Sequence, residues 1–488
     1  RENPSDPSDL CSKQIVSNVY DMTDQNELKK GLKILMVRPK PSPETIGLQH
    51  LMVVEPLELE ILYALKRPQD EALIVDLIIE KKPFGYFLTT FQPDVVCFTG
   101  YITNVGTILT YCEETKKYSG GKTITVVGGV HCEVCPEDFD HPMVDFRVVR
   151  NASKVFTGLL DHIAEPTALP AGIFRPGEKV DPVLLPAFDF SYMLPDRTSV
   201  ARYRHRYFYI FHDKVALVKT SYGCPYQCSF CFCRIITDDH YHQRPVKEVV
   251  DELENIPEKE IYIVDDDFLF DKKWLTQFIT ELRKRNISKH FLVYGRADFI
   301  ARNPELMHEM AKTGLRTVIV GFESFSDEEL SEYNKKIPAG LYKQTMEILN
   351  REKIEVFATI IVSPKWDRND FRNMVRSLQA LGIHYVNLQP LTPLPKTGVH
   401  YDDKDILIDR KEYEKWDLAH VTVQPEKMSV AAFYEEILKA YQRILYRPEV
   451  LLKYLMTYRP VMLYKMLVGG YRVTLQYRKK IKEAKKHA

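Results

Sequence analysis

The tightest constraint in this chain is a run of thiols, Gly223-Cys-Pro-Tyr-Gln-Cys-Ser-Phe-Cys-Phe-Cys233. Cys224, Cys228 and Cys231 stand with three residues between the first pair and two between the second, and Cys233 follows as an odd extra. Thiols this close together cannot serve as the disulfide framework of a 488-residue chain. Soft thiolates crowded on one short loop suit zinc or an iron–sulfur cluster. A tetrahedral zinc site needs a fourth ligand and usually draws on two separated cysteine pairs. Three thiolates instead leave a cubane cluster with one iron uncovered, free to bind something that is not protein. A zinc-stabilised binding protein, with the loop as a structural clip, stays open as the alternative.

The rest of the composition narrows the setting. Lys plus Arg and Asp plus Glu balance at 67 each, so no strong field for nucleic acid is expected. The length suits two or three domains, each able to bury its own core. Nine cysteines without regular pairing point to a reducing, cytoplasmic setting. No run of eighteen apolar residues is found, so no spanning helix is expected. Residues 1–31 are polar and read as a leader without a secretory signal. The chain begins at Arg1 rather than Met, as a fragment or processed form would.

From Lys33 short apolar runs alternate with helical patterns. Lys33–Pro39, Ala72–Ile79, Asp94–Gly100 and Thr123–Gly128 read as strands, and Glu55–Leu65 has helical period. Strands apolar on both faces, alternating with helices, predict a Rossmann-like, doubly wound parallel sheet over residues 32–165. Ligands of such sheets lie beyond the carboxyl ends of the strands. Those ends carry Thr99, Thr103, Gly128 and Gly129, where glycine lets a bulky planar ligand approach the backbone. Neither a Gly-x-Gly-x-x-Gly fingerprint nor a Walker loop is present, which disfavours a nucleotide here. His131, Cys132 and Cys135 could form a metal group, but read better as loop residues beside the ligand because no second ligand cluster accompanies them. Residues 166–213, rich in Pro and aromatics, read as a linker whose Tyr203–Phe211 segment straps the domains together.

Val215–Lys219 is the strand that enters the cysteine loop. Five further strands follow, Glu260–Val264, Phe291–Tyr294, Thr317–Val320, Val356–Val362 and Tyr385–Leu388, with helical segments between them. Polar residues close these strands, notably Asp265-Asp-Asp267, Arg296 and Glu323-Ser324. The pattern predicts a partial parallel (β/α) barrel over 214–400 with its site at that mouth. The aspartates could equally cap the helix that begins near Asp271. Residues 401–488 read as a helical region, with Ala431–Tyr446, Val450–Tyr458 and Val461–Tyr471 as helices and a Lys-rich end.

The cysteine loop with Tyr226 and Phe230, followed in order by Asp265-Asp-Asp-Phe268 and Gly321-Phe-Glu-Ser324, resembles the radical S-adenosylmethionine (SAM) enzymes. The resemblance implies a [4Fe-4S] cluster on Cys224, Cys228 and Cys231, with SAM chelating the open iron until an electron splits it to a 5′-deoxyadenosyl radical. It implies that Asp266 meets the SAM amino group, that Arg296 pairs with its carboxylate, and that Glu323 and Ser324 contact it. The upstream sheet is similar to the cobalamin-binding domain of the cobalamin-dependent members, so Thr99, Thr103, Gly128 and Gly129 would line cobalamin. Two features depart from that pattern: the Asp-x-His-x-x-Gly motif is absent, and Arg150-Asn-Ala-Ser-Lys154 stands where Gly-Glu-Gly-Glu is frequent. Arg204-His-Arg-Tyr-Phe208, Trp416…His420, Pro425…Met428 and the Tyr/Arg-rich tail resemble the hopanoid C-3 methylase-like branch. What this implies is methylation of an unactivated carbon on an apolar, lipid-like small molecule, with electrons from a donor such as ferredoxin or flavodoxin. Relatives with the same two domains carry out oxidative cyclisation or carbon–carbon coupling, which is the second reading. The basic amphipathic end is of the kind that lies on membranes, though most such ends are solvated helix faces.

Overall fold

The computed structural model describes residues 31–47, 51–165 and 167–486, so the expected leader lies outside the described residues but for Gly31. The first unit is a sheet of six strands: β1 (Lys33–Arg38), β2 (Glu71–Asp76), β3 (Val95–Thr99), β4 (Ile124–Gly128), β5 (Phe146–Val148) and β6 (Ile173–Phe174). Their order is β2-β1-β3-β4-β5-β6, parallel except for the last pair. Apolar cores lie on both faces of the sheet, which is why its strands read as unbroken hydrophobic runs. The sheet outruns the boundary expected at residue 165, because β6 turns back antiparallel onto β5 and closes the edge. β2 stops at Asp76, short of Ile79, where the carboxylate accepts from the Ile78 amide at 3.1 Å and from Arg38 Nε at 3.0 Å. Strand order reverses between β1 and β3, so the crevice for a ligand opens between the Arg38 and Thr99 strand ends.

The second unit is a partial barrel of six parallel strands in chain order: β7 (Ala216–Val218), β8 (Glu260–Ile263), β9 (His290–Gly295), β10 (Leu315–Glu323), β11 (Glu355–Val362) and β12 (Tyr385–Pro390). Alternation sends Ile261, Val293, Val318 and Ala358 outward to the helices. It sends Leu217, Tyr262, Leu292, Ile319, Phe357 and Tyr385 inward. Tyr209 and Leu57, from the strap and from helix α1 (Leu57–Ala64), complete that inner layer. Tyr209 meets the Tyr262 ring with centroids 4.9 Å apart. The strap is thus a plug, held in a small antiparallel sheet of Met52–Val53, Phe208–Tyr209 and His212–Asp213.

An open barrel leaves two strand edges with unpaired backbone groups, and each must be satisfied. On β7 the Leu217 amide donates to Glu55 at 2.7 Å, and its carbonyl accepts from Arg197 at 2.7 Å. On β12 the Tyr441 hydroxyl accepts from the Leu388 amide at 2.9 Å. Side chains from the N-terminal region and from the C-terminal helices therefore close both edges. Tyr441 stands on α4 (Val430–Leu445); α5 (Pro448–Thr457) and α6 (Pro460–Lys486) follow it. α6 runs fifteen residues beyond the expected end at Tyr471, because its Lys-rich stretch holds no breaker and packs back on α4.

Candidate functional site

The cysteine loop leaves β7 through Ser221–Tyr222, which pair with His242–Gln243. Gly223 opens it at φ +71°, where a Cβ would strike the His240 carbonyl and the Thr237 hydroxyl, so only glycine fits. The loop is fastened to the segment after β10. The Ser229 amide donates to the Tyr333 carbonyl at 3.0 Å, and Asn334 donates to the Gln227 carbonyl at 2.6 Å. The Gly398 amide, from the last barrel loop, donates to the Ser229 carbonyl at 2.7 Å. Phe230 lies edge-on to Tyr333 with centroids 5.9 Å apart.

Cys228 is buried, and Cys224 and Cys231 are half-buried. Burial pushes the Cys224 thiol up to about 12, with Asp267, Asp266 and Cys231 adding to it. Burial also raises Cys228, against the pull of Lys335 and Arg296. Cys231 is drawn down by the neighbouring Cys233 thiol, which donates to it, while Cys233 is itself raised. A tetrahedral zinc holds its thiolates within roughly 4 Å of one another. Among the described residues these three sulfurs do not all lie within 4.8 Å of one another.

Beneath the loop the barrel strands bring up their polar ends. Tyr226 stacks on the Arg296 guanidinium at 3.6 Å. Arg296 is fixed further by Asp298 at 3.1 Å and by the Lys335 carbonyl at 2.9 Å. Lys335 pairs with Glu323 at 3.1 Å, both side chains being buried. Glu323 adopts φ +63° at an irregularity where β10 shifts register against β11. That bulge re-aims the carboxylate toward Lys335, and Gly321 leaves room for it, since a Cβ there would collide with it. Ser324 is buried, and its hydroxyl is committed to Glu329 and to the Ser326 amide. It therefore shapes the turn after β10.

The three aspartates have separate fates. Asp265 takes the Thr220 and Ser221 amides at 2.7 and 3.0 Å and so ties β7 to β8. Asp266 continues the inward alternation of Tyr262 and Val264 and faces the cysteines, where its charge acts on Cys224, Cys231 and Cys233. Asp267 is buried with both carboxylate oxygens unpartnered, and burial pushes it up to about 8 against the pull of Arg296 and Lys335. None of the three caps the following helix; Asp271 does, accepting from the Lys273 and Trp274 amides. A buried carboxylate without a partner, beside an arginine and below an iron-binding loop, fits a ligand that brings its own ammonium or hydroxyl groups. Sequence reasoning passed over Asp267 and Lys335. The first was hidden among identical neighbours, and the second lies in Asn334-Lys-Lys336, where no local pattern marks it.

The crevice of the first sheet faces this mouth. Tyr101, just past β3, is 60% exposed, yet Glu58, Arg38, Tyr294 and Cys233 from both units all act on its hydroxyl. Arg150, past β5, bonds Asp238 beyond the cysteine loop at 2.6 and 3.1 Å and so brings the crevice and the loop together. Glu133 stands on α2 (Val130–Val134); burial pushes its carboxyl up to about 7, opposed by Arg150. Thr99 and Gly129 meet at the rim, where a Cβ on Gly129 (φ +90°) would strike the Thr99 hydroxyl. The freedom of Gly129 is thus used against the neighbouring strand, while Gly128 has ordinary room. Thr103 sits in the turn after β3. His131, expected beside the ligand, is buried and bonded to Asp138 at 2.7 Å, which also accepts from Tyr413 at 3.0 Å. His131, Cys135 and Asp138 bring their donor atoms within 4.8 Å, and the His–Asp–Tyr chain already takes up those of His131 and Asp138.

These features define a barrel whose mouth gathers three cysteines with buried charged side chains, and residues 218–378 match the model of the Radical SAM superfamily. The barrel is a radical SAM domain. Over 425 residues the chain is 27% identical to hopanoid C-3 methylase of Methylococcus capsulatus, covering 85% of this chain and 80% of that one. It is 23% identical to the anaerobic magnesium-protoporphyrin IX monomethyl ester cyclase of Rubrivivax gelatinosus, over 73% of this chain and 66% of the cyclase. The fold is that of the radical SAM methyltransferase TsrM from Kitasatospora setae, solved with cobalamin and a [4Fe-4S] cluster bound. That match has a TM-score of 0.66 at 16% identity and covers 94% of this chain and all of the other.

Proposed function

We propose that the protein is a cobalamin-dependent radical SAM methyltransferase that methylates an unactivated carbon of an apolar, lipid-like molecule. The observation that carries this reading is the meeting of the sheet crevice with the cysteine loop, joined by Arg150 and Asp238 at 2.6 and 3.1 Å. Bound there, the cluster, SAM and cobalamin supply the radical and the methyl group. Cys224, Cys228 and Cys231 hold three irons and leave the fourth for SAM. Asp266 offers negative charge to the SAM ammonium, and the unpartnered Asp267 joins it on giving up its proton. Arg296, locked in place by Tyr226 and Asp298, offers positive charge to its carboxylate. Glu323 acts through its pair with Lys335, and Ser324 by setting the turn. Thr99, Thr103, Gly128 and Gly129 form the rim that receives cobalamin. The inner barrel layer of Tyr262, Leu292, Ile319 and Phe357 gives the substrate an apolar floor and keeps water from the reacting carbon. Electrons come from a low-potential carrier such as ferredoxin or flavodoxin in a reducing cytoplasm.

Anaerobic reconstitution with iron, sulfide and hydroxocobalamin tests this. The expected protein is brown, shows corrin absorption, and with an apolar acceptor releases S-adenosylhomocysteine together with 5′-deoxyadenosine. Protein that takes up no cobalamin and makes no S-adenosylhomocysteine would sink the reading. The similarity to the ester cyclase over 73% of the chain supports a second reading, ring closure, which yields 5′-deoxyadenosine alone.

A further inference from the structure

The C-terminal helices carry a surface that the site does not use. Most large apolar side chains left exposed among the described residues lie between Tyr446 and Leu475. On α5 the bare ones are Leu451, Leu452, Leu455 and Met456, the last 79% exposed. The opposite side of α5 holds Val450, Tyr454 and the adjoining Tyr458, which pack under the barrel against Tyr385 and Phe211. α6 repeats the arrangement. Met462, Met466, Gly469, Val473 and Tyr477 turn inward, while Val461, Tyr464, Leu467, Tyr471 and Leu475 recur every three or four residues on the outer face. A helix that only covers a barrel has one apolar stripe and a polar back. These two have apolar stripes on both sides; α5 and the start of α6 seat on the strand starts of the barrel, and the rest of α6 packs along α4.

Charge identifies the occupant. Between Glu449 and Glu483 the chain has no acidic residue and eight Lys or Arg, of which Lys453, Lys465, Lys479 and Lys480 pair with Glu355, Asp213 and Glu44. Along the outer face of α6 the apolar stripe gives way to the exposed Arg478 and Lys482. Exposed Tyr446, Tyr464 and Tyr471 add rings with an apolar body and a polar tip, the type enriched where hydrocarbon meets headgroups. No helix among the described residues is long and apolar enough to cross a membrane. From these features we infer that α5 and α6 form an interfacial docking surface for a bilayer bearing anionic headgroups. The stripes enter the acyl boundary and the cations meet the phosphates. Its α5 part lies at the end of the barrel opposite the mouth, against Tyr385 and Glu355 at the strand starts.

Flotation of the reconstituted full chain with phosphatidylcholine vesicles, with and without phosphatidylglycerol, tests the inference. The wild type is expected to float with the anionic vesicles and about ten-fold less with neutral ones. L452E/L455E, on the exposed stripe, should lose flotation at least ten-fold with unchanged iron content and melting temperature. R478E/K482E should lose only the preference for anionic lipid. Wild type that stays in solution with both vesicle types, or an L452E/L455E protein that floats like wild type, would overturn it. So would light scattering that shows a dimer dissolved by L452E/L455E, since a second copy would then cover the face. Flotation reads this surface alone, and S-adenosylhomocysteine formation reads the site, so either can fail with the other intact.

Discussion

Arg150, at the end of β5, grips Asp238, just beyond the cysteine loop, with two parallel bonds of 2.6 and 3.1 Å. Asp238 and its neighbour Asp239 both sit at positive φ, so the turn is shaped to present that carboxylate. This bidentate pair joins the crevice of the first sheet to the loop that would hold the cluster. It stands where the related cobalamin domains frequently have Gly-Glu-Gly-Glu, so the departure noted in the sequence supplies a strut.

The strut should set how well two half-reactions stay in step. R150A and D238N are expected to cost little stability, about 1 kcal/mol for a half-exposed bidentate pair, and to keep iron and cobalamin. What should change is the ratio of products, with 5′-deoxyadenosine rising several-fold over S-adenosylhomocysteine. Simultaneous quantification of both in single-turnover reactions checks this. An unchanged ratio would make the pair a simple fastening.

The cysteines divide by role. C224A, C228A and C231A should each abolish the brown absorption and bring bound iron close to zero. C233A should keep wild-type iron and sulfide, because Cys233 serves Cys231 as a hydrogen-bond donor. Loss of that bond should alter the reduced cluster's electron paramagnetic resonance spectrum without loss of intensity. Iron lost from C233A would instead make Cys233 a ligand.

How far this site could be read from sequence depends on range. The cysteine spacing, the inward Asp266 and the Gly321-Phe-Glu-Ser324 strand end are local, and local spacing survives folding unchanged. Contacts between residues far apart left no such trace. Nothing near Lys335 marks it as the partner of Glu323, and nothing near Glu55 or Arg197 marks them as caps of β7. At His131 the sequence suggested a ligand contact, and what it did not show is the bond to Asp138, seven residues on, and the distant Tyr413 hydroxyl that donates to Asp138. The fold class was legible because parallel strands must be apolar on both faces, whereas β5 and β6, only three and two residues long, are too short to show a period.

That geometry at His131 is itself testable. H131A should retain cobalamin at wild-type occupancy, since the ring is buried and committed to Asp138. It should lose roughly 1–3 kcal/mol of stability, because Asp138 is left short of a buried partner. Corrin absorbance after gel filtration and a denaturant melt separate the two effects. Cobalamin lost from a well-folded H131A protein would bring the histidine back to the cofactor.

Asp267 gives a pH signature in the cofactor-free protein. Its carboxyl is raised from the ordinary carboxylate range to about 8 by burial, so the folded state holds a proton that the unfolded chain releases near pH 4. Wherever the folded state binds more protons, stability falls as pH rises. The fall therefore runs from the unfolded value up to the folded one, and is complete above pH 8. Its size is on the order of a few kcal/mol. D267N removes the charge while keeping the shape. Its melting temperature should match that of the wild type at pH 5, exceed it by several degrees at pH 8, and show a flatter profile between. SAM, by bringing an ammonium to the unpartnered oxygens, should narrow that gap for the wild type and leave D267N unmoved. Parallel melting curves of the two proteins at both pH values would refute the account of Asp267 as a proton-holding orphan at the SAM site.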